Sequence, residues 1–350
     1  MSSYIRANVA ALHAYTPGEQ PRDADVIKLN TNENPYPPAP AVLEALPTLM
    51  PNALRMYPDP VCRSLRQTIA KVHDCEEENV FCGNGSDEIL SLCIRAFVPN
   101  QGRIGYWEPS YSLYPVLANI ADVGVEPLPL AADFSWPAIP RRYDVPLFFW
   151  TNPNAPTSLQ CPVDVIADYA DGSEGVVVVD EAYADFADTN ALPLTREFAN
   201  VLVTRSFSKS YSLAGVRLGY AIGPEPLISA LFKIKDAYNV NAVTQRVGQL
   251  AMADQEYMHK NVRRIRATRE RVSQRLTQMG WQVLPSQTNF LWARPAAQSA
   301  SEWFEYLRAH KIYVRYFSGA AVREYVRITV GTDAEMDAFL KIIETAEAVS

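Results

Sequence analysis

Leu147-Phe148-Phe149-Trp150-Thr151-Asn152-Pro153-Asn154 decides how this chain folds. Its apolar run does not alternate with polar residues, so a strand here is covered on both faces. Two further runs have the same form. Val176-Val177-Val178-Val179 leads into Asp180-Glu181-Ala182-Tyr183, and Val201-Leu202-Val203-Thr204 leads into Arg205-Ser206-Phe207-Ser208-Lys209. Strands of this kind belong to mainly parallel sheets lying between layers of helix. The sequence between them supplies the helices. Ile89, Leu90, Cys93, Ile94 and Phe97 recur at helical spacing, with Ser86 placed as an N-cap. The reading is an α/β doubly wound layout.

Upstream, residues 35–60 carry Pro35, Pro37, Pro38, Pro40, Pro47, Pro51, Pro58 and Pro60. Fixed φ angles and missing N–H donors predict an extended, irregular connection there, broken by a short helix near 42–46. Downstream of about residue 236 the texture changes. A long charged helix is expected over 257–279, with Val262, Ile265, Val272, Leu276 and Met279 as its apolar stripe and Gly280 as its stop. Strands are expected near 288–293, 312–316 and 325–330, with helices between and after them. Outside the βα rhythm, this mixture predicts a smaller α+β domain.

Composition excludes several classes. Of 350 residues, 48% are hydrophobic and 20% charged, which fits a soluble globular chain long enough for about two domains. With 32 basic against 39 acidic residues the net charge is −7, which argues against nucleic acid as a partner. Arg263, Arg264, Arg266, Arg269, Arg271 and Arg275 on the long helix are interrupted by Glu256 and Glu270, so a salt-bridged, solvated face is expected. No apolar run approaches the ~18 residues of a membrane span, and the first residues lack a secretory segment, so a cytoplasmic protein is expected. The 5 cysteines contain no C-x-x-C pair, and the 4 histidines are scattered. Reduced thiols and no metal site are the reading.

Ligands of open parallel sheets bind at the carboxyl ends of the strands. The three polar tails quoted above therefore converge on one pocket, offering an amide, a carboxylate with a phenol, and a lysine among hydroxyls. Gly83-Asn84-Gly85-Ser86 adds a helix start where close backbone approach and free N–H groups suit a phosphate. It lacks the third glycine of a dinucleotide fingerprint. Taken singly, Gly85-Ser86 reads equally as an ordinary capped helix, Asp180 as a turn residue and Lys209 as a solvated loop lysine. Together, a lysine, a strand-end aspartate and a phosphate cradle describe a pyridoxal 5′-phosphate site. There the amine forms a Schiff base with the cofactor aldehyde and the carboxylate keeps the pyridine nitrogen protonated.

Further motifs stand in a recognisable order. They are Leu29-Asn30-Thr31-Asn32-Glu33-Asn34-Pro35, Tyr57-Pro58-Asp59-Pro60, Gly83-Asn84-Gly85-Ser86-Asp87-Glu88, Asn152-Pro153-Asn154-Ala155-Pro156-Thr157, Asp180-Glu181-Ala182-Tyr183, Ser206-Phe207-Ser208-Lys209, Arg217-Leu218-Gly219-Tyr220 and Val326-Arg327-Ile328-Thr329-Val330-Gly331. With Tyr15-Thr16-Pro17-Gly18 before them, they resemble the fold-type I aminotransferases and, within that class, the histidinol-phosphate aminotransferase family. The resemblance runs from about residue 15 to 332. It implies an N-terminal arm over 1–29 that contacts a dimer partner and packs with the small domain, a large cofactor-binding domain over 30–235, and a small domain over 236–350.

Carried over residue by residue, the resemblance makes Lys209 the Schiff-base lysine and proton-moving base, and Asp180 the partner of the pyridinium. Asn154 and Tyr183 would bond the ring oxygen, and Tyr111 would stack on the ring. Gly85, the backbone at Ser86 and Asp87, the hydroxyls of Ser206 and Ser208, and Arg217 would hold the phosphate. Tyr57 would reach the cofactor of a neighbouring subunit, making a homodimer with shared active sites. Substrate would meet Asn30, Asn154, Arg315, Arg327 and the partner arm's Tyr15. The strand period independently places Tyr325, Arg327 and Thr329 on one face.

Ser158 and Ser212 stand where that family commonly has glycine; if either needs a positive φ, serine costs about 1 kcal/mol or more there. The activity implied is transfer of an amino group from histidinol phosphate to 2-oxoglutarate, giving imidazole-acetol phosphate and glutamate in histidine biosynthesis. An aromatic amino-acid aminotransferase, a threonine-phosphate decarboxylase and a non-catalytic module of the same fold are the alternatives. No G-x-S-x-G is present, which discounts a serine hydrolase.

Overall fold

A computed structural model describes residues 4–12, 18–21, 23, 25–48, 52–139 and 143–347. Among them, β1 (Val80–Gly83), β2 (Arg103–Glu108), β3 (Gly124–Pro129), β4 (Leu147–Thr151), β5 (Val176–Asp180), β6 (Val201–Ser206) and β7 (Gly219–Ile222) form a 7-stranded sheet. Their order across it is β1-β7-β6-β5-β4-β2-β3. β2, β3, β4, β5 and β6 are parallel, whereas β7 runs antiparallel to both β6 and β1. Two antiparallel steps restore direction, so β1 points the same way as β6. The carboxyl ends at Gly83, Glu108, Thr151, Asp180 and Ser206 therefore share one edge of the sheet.

The unalternating apolar runs are explained by their neighbours. Phe148, Trp150, Val177, Val179, Val201 and Val203 face one core, with Ile166 and Ala170 of the helix Val163–Gly172. Leu147, Phe149, Val178 and Leu202 face a second core, with Ile89, Leu90, Cys93 and Ile94 of α1 (Ser86–Phe97). Each face excludes water, and each buried Val, Leu or Phe contributes about 1.5–3 kcal/mol. Ser86 is the first helical residue of α1; the cap position falls to Gly85, whose φ of 81° only glycine adopts without strain.

Beyond the large sheet, α2 (Gln255–Gln278) starts at a cap where Asp254 accepts from the Tyr257 N–H at 3.1 Å, and Gly280 ends the turn after it at φ 86°. Arg266, Arg271 and Arg275 of its arginine face are salt-bridged as expected. Arg269 is not solvated: its place on the helix turns it inward, where it is buried and donates to the Thr288 carbonyl at 2.7 Å. Arg271 pairs with Asp333 at 3.1 Å and Asp337 at 2.6 Å, and Arg275 pairs with Glu344 at 2.7 Å, all on α3 (Asp333–Glu347). A 4-stranded sheet follows from β8 (Gln282–Val283), β9 (Phe290–Arg294), β10 (Arg315–Tyr316) and β11 (Val326–Thr329), in the order β10-β11-β9-β8. Its Leu291, Ala293, Val326 and Ile328 pack into a core with Trp281, Trp303 and Phe339.

The strand expected over 312–316 is two strands. Ile312–Tyr313 pairs in parallel with Ile27–Lys28, and only Arg315–Tyr316 joins β11. The intervening Val314 is buried in the core and lets one segment serve two sheets. No helix among the described residues is long and apolar enough to cross a membrane.

Candidate active site

Asp180 is the last residue of β5 and is buried. Its Oδ2 accepts from the Tyr114 hydroxyl at 3.0 Å, and Oδ1 accepts from the Ala182 N–H at 3.3 Å. Burial pushes its carboxyl up to about 6; the Tyr114 bond opposes this, and the negative charge of Asp87 adds to it. The next residue points the other way. Glu181 takes two bonds from Arg205, at 3.0 and 2.8 Å, and one from the Ala191 N–H, so this second carboxylate is neutralised behind the sheet.

Lys209 follows β6 by three residues, and its Nζ donates to the Thr31 carbonyl at 3.2 Å. Burial lowers its amine to about 8. The positive charge of Arg327 acts in the same direction, while Glu33 and Asp87 oppose it. The amine also lies 5.7 Å from the centre of the Tyr183 ring. Asn34 fixes the lysine's backbone, donating from Nδ2 to the carbonyls of Lys209 (3.0 Å) and Ser210 (3.1 Å). On the far side, the Ser210 hydroxyl bonds Asp185, which in turn lies 3.5 Å from Arg205.

The Tyr183 hydroxyl accepts from Asn32 Nδ2 at 2.9 Å, and its ring stands edge-on to Phe290 at 5.1 Å. Burial raises its phenol above the usual value, with Arg327 and the Asn32 bond opposing. Asn32 is a hub with φ 57°. Its N–H donates to Thr329 Oγ1 at 3.0 Å, its Oδ1 accepts from that hydroxyl at 3.1 Å, and its carbonyl accepts from Asn289 at 3.0 Å. These contacts tie β11 to the loop holding Tyr183.

At the start of α1, Gly85, Ser86 and Asp87 meet Arg217. A Cβ on Gly85 would come 2.7 Å from Arg217 Nη2, and one on Gly219 would collide with the Ser86 nitrogen. Two glycines thus keep open a cradle that side chains would fill. Arg217 Nη2 pairs with Asp87 Oδ2 at 3.0 Å, and its Nη1 lies 3.5 Å from Ser208 Oγ. Ser206 Oγ accepts from the Ser208 N–H at 3.1 Å. The other Asp87 oxygen accepts from the Tyr111 hydroxyl at 3.1 Å.

The remaining expected residues fall in several places. Asn154 is buried, and both its amide protons go to protein: Pro109 O at 3.0 Å and Thr157 Oγ1 at 2.9 Å. Its loop is thereby joined to the segment carrying Tyr111. The Asn30 amide turns to the Glu19 carbonyl at 2.7 Å, while the Asn30 carbonyl receives Arg327 Nη2 at 3.0 Å. Arg327 and Arg315 are Cα partners across β11 and β10, and Trp292 is Arg327's partner on β9, so all three share one face. Tyr57 is exposed and stacks on Tyr238 with ring centres 4.4 Å apart. Tyr15 lies outside the described residues.

A family model for aminotransferase class I and II matches residues 24–343. The chain belongs to the class I and II aminotransferases. The histidinol-phosphate aminotransferase of Citrifermentans bemidjiense is 44% identical to this aminotransferase over 340 residues, spanning 97% of each chain. That of Geobacter sulfurreducens is 43% identical over 344 residues, spanning 97% of this chain and 98% of its own. In fold, the histidinol-phosphate aminotransferase of Sinorhizobium meliloti, solved in complex with pyridoxal-5′-phosphate, superposes with a TM-score of 0.88. It is 24% identical, and the match covers 100% of this chain and 99% of that one. Enzymes of this class work with pyridoxal 5′-phosphate, and this aminotransferase has the matching groups. A helix start, two serine hydroxyls and Arg217 suit a phosphate ester, buried Asp180 suits a pyridinium, and Lys209 suits an aldehyde.

The motifs by themselves assign no role to Asn32, Asn34, Tyr114, Thr329 or Asp185, all of which bond the site's residues in the fold. Asn32 and Asn34 lie inside the motif of residues 29–35, and their amides are the signal that could have found them. Tyr114 had none: it reaches Asp180 from a short helix 66 residues upstream.

Proposed function

We propose that this aminotransferase moves the amino group of L-histidinol phosphate to 2-oxoglutarate, giving imidazole-acetol phosphate and L-glutamate. The observation that carries the reading is the pair Arg315 and Arg327, set directly opposite each other on one face. Two guanidiniums on one face offer an anion bonds to both at once. A phosphate monoester, with a charge of about −1.5 to −2, suits two guanidiniums better than one carboxylate does. The names of the relatives point the same way.

When bound, pyridoxal phosphate supplies an electron sink for the pair left as a proton leaves the substrate's Cα. The residues of the chain do the rest. Lys209, whose amine is lowered to about 8, is neutral often enough near pH 7 to accept that proton and return it. Asp180 opposes a positive charge with a buried carboxylate. Tyr183, held by Asn32, offers a hydroxyl whose position is fixed to β11, the strand that carries Arg327. Arg217, Ser206, Ser208 and the start of α1 anchor a phosphate.

The exposed Tyr57 beside exposed Leu54 and Met56 supports a homodimer in which this segment completes the partner's site. The arm over 1–29, the large domain over 30–235 and the small domain over 236–350 are the division we adopt, in a cytoplasmic enzyme. Turnover of histidinol phosphate, phenylalanine, tyrosine and threonine phosphate by the cofactor-loaded protein tests the substrate. Histidinol phosphate should give the highest kcat/KM, and Lys209→Ala should give none. A higher value for phenylalanine or tyrosine, or carbon dioxide released from threonine phosphate, overturns it.

A further inference from the structure

Tyr114 is fully buried at the start of the helix Tyr114–Ala121, in the core that covers one face of the large sheet. Its ring stacks on Phe149 with centres 4.7 Å apart, and the Tyr106 and Tyr111 rings stand around it at 5.8 and 5.7 Å. Phenylalanine would fill that place equally well. The hydroxyl is what packing leaves unexplained, because burying one costs free energy unless it finds a partner. Here it finds two. Tyr114 Oη donates to Asp180 Oδ2 at 3.0 Å and lies 2.6 Å from Thr151 Oγ1. Thr151 ends β4 directly beside Asp180 at the end of β5. The phenol has a single proton, so when that proton goes to the carboxylate, Thr151 is the donor to Tyr114. Hydrogen bonds in such a chain polarise one another, which strengthens the bond that ends on Asp180.

We propose that Tyr114 is a positioning residue whose hydroxyl holds Asp180 as an oriented carboxylate, ready for the cation of the cofactor ring. The inference rests on the reading of Asp180 as the pyridinium's partner. A charge-assisted bond on one oxygen and the Ala182 N–H at 3.3 Å on the other fix the plane of the group. Burial works against its charge, and so does the negative charge of Asp87 at the start of α1; the Tyr114 bond favours the charge. Tyr183, on the loop after β5, also feels the Asp180 charge, and its own phenol stays neutral. Removing the Tyr114 hydroxyl alone leaves the ring packing in place. The loss then falls on the charge of Asp180 and on whatever that charge holds.

The test makes Tyr114→Phe and Asp180→Asn singly and together. In cofactor-free protein, the gain in urea resistance from Asp180→Asn grows with pH until the folded carboxyl is ionised, so the pH at which it levels off reports that ionisation. It should level off near pH 6 with Tyr114 in place, and about one pH unit higher with phenylalanine there. The Kd of pyridoxal 5′-phosphate, followed by its visible absorbance at pH 7, should rise about tenfold in Tyr114→Phe, with the Kd of inorganic phosphate within about twofold of wild type. In Asp180→Asn protein, which has no carboxylate to hold, the same change should cost less than about twofold. An unchanged levelling pH overturns the proposal, as does a cofactor Kd that Asp180→Asn raises and Tyr114→Phe does not. So does a loss that persists in Asp180→Asn protein or extends to inorganic phosphate, because packing alone would then explain it. Should Tyr114→Phe fail to fold, Tyr114→Phe joined to Thr151→Val, which strands no hydroxyl, makes the same comparison. If Asp180→Asn by itself leaves the cofactor's Kd and absorbance unchanged, the pairing with the pyridinium falls, and the levelling pH still judges Tyr114.

Discussion

Asp180 carries opposed demands. Burial at the end of β5 raises its carboxyl to about 6 from an ordinary 3.8, so the folded chain without cofactor resists the charge that the proposed pairing with a pyridinium would need. The sign follows from linkage. An acid whose folded value is raised leaves stability intact below its unfolded value of 3.8, and that stability is lost as pH climbs through about 6. Asparagine cannot ionise. Asp180→Asn should therefore stabilise the cofactor-free protein against urea by about 3 kcal/mol at pH 8, with little gain at pH 4. The same variant should lose most of its turnover. Equal stability of the two proteins at pH 8 would show that the buried carboxylate carries no such cost.

The loops that carry the site show strain at element scale. Ser158 and Ser212 sit at φ 65° and 60°, the left-handed region in which the residue found there in the resembled family has no Cβ penalty. The Ser158 hydroxyl compensates by bonding the Thr157 carbonyl at 2.5 Å. The Ser212 hydroxyl is buried and has no partner among the described residues. Glycine at 212 removes a left-handed Cβ and a stranded hydroxyl, against the extra chain entropy it brings to the unfolded state. Ser212→Gly should stabilise by about 1 kcal/mol, and Ser158→Gly should be nearly neutral, as read by urea denaturation. Greater gain at 158 than at 212 would reverse this account.

For the whole molecule, the proposed shared site has a sharp signature. Lys209→Ala and Tyr57→Ala each disable a site, but if Tyr57 serves the partner's site, a mixed dimer keeps one site with both residues intact. Random reassortment of the two inactive proteins should then recover about a quarter of wild-type activity. No recovery on mixing would place Tyr57 and Lys209 in one subunit's site, and a Tyr57→Ala protein active by itself would remove Tyr57 from it.

The parallel sheet was legible because coverage on both faces leaves a local mark: every position in 147–151 is buried, so none need be polar. The placement of Asp180 and Lys209 was legible because one ends such a run and the other follows another by three residues, at the edge where such folds put ligands. What holds them was not. Tyr114 meets Asp180 across 66 residues, Asn32 meets Tyr183 across 151, and Asn34 meets the Lys209 carbonyl across 175. A hydrogen bond between distant segments leaves no periodicity in either one. The sequence by itself determined the layers, the strand ends and the kinds of functional group available, because burial pattern and residue chemistry are local properties. Only the tertiary structure decided which groups meet and the split of 312–316 between two sheets, because distance in space is set by packing between elements.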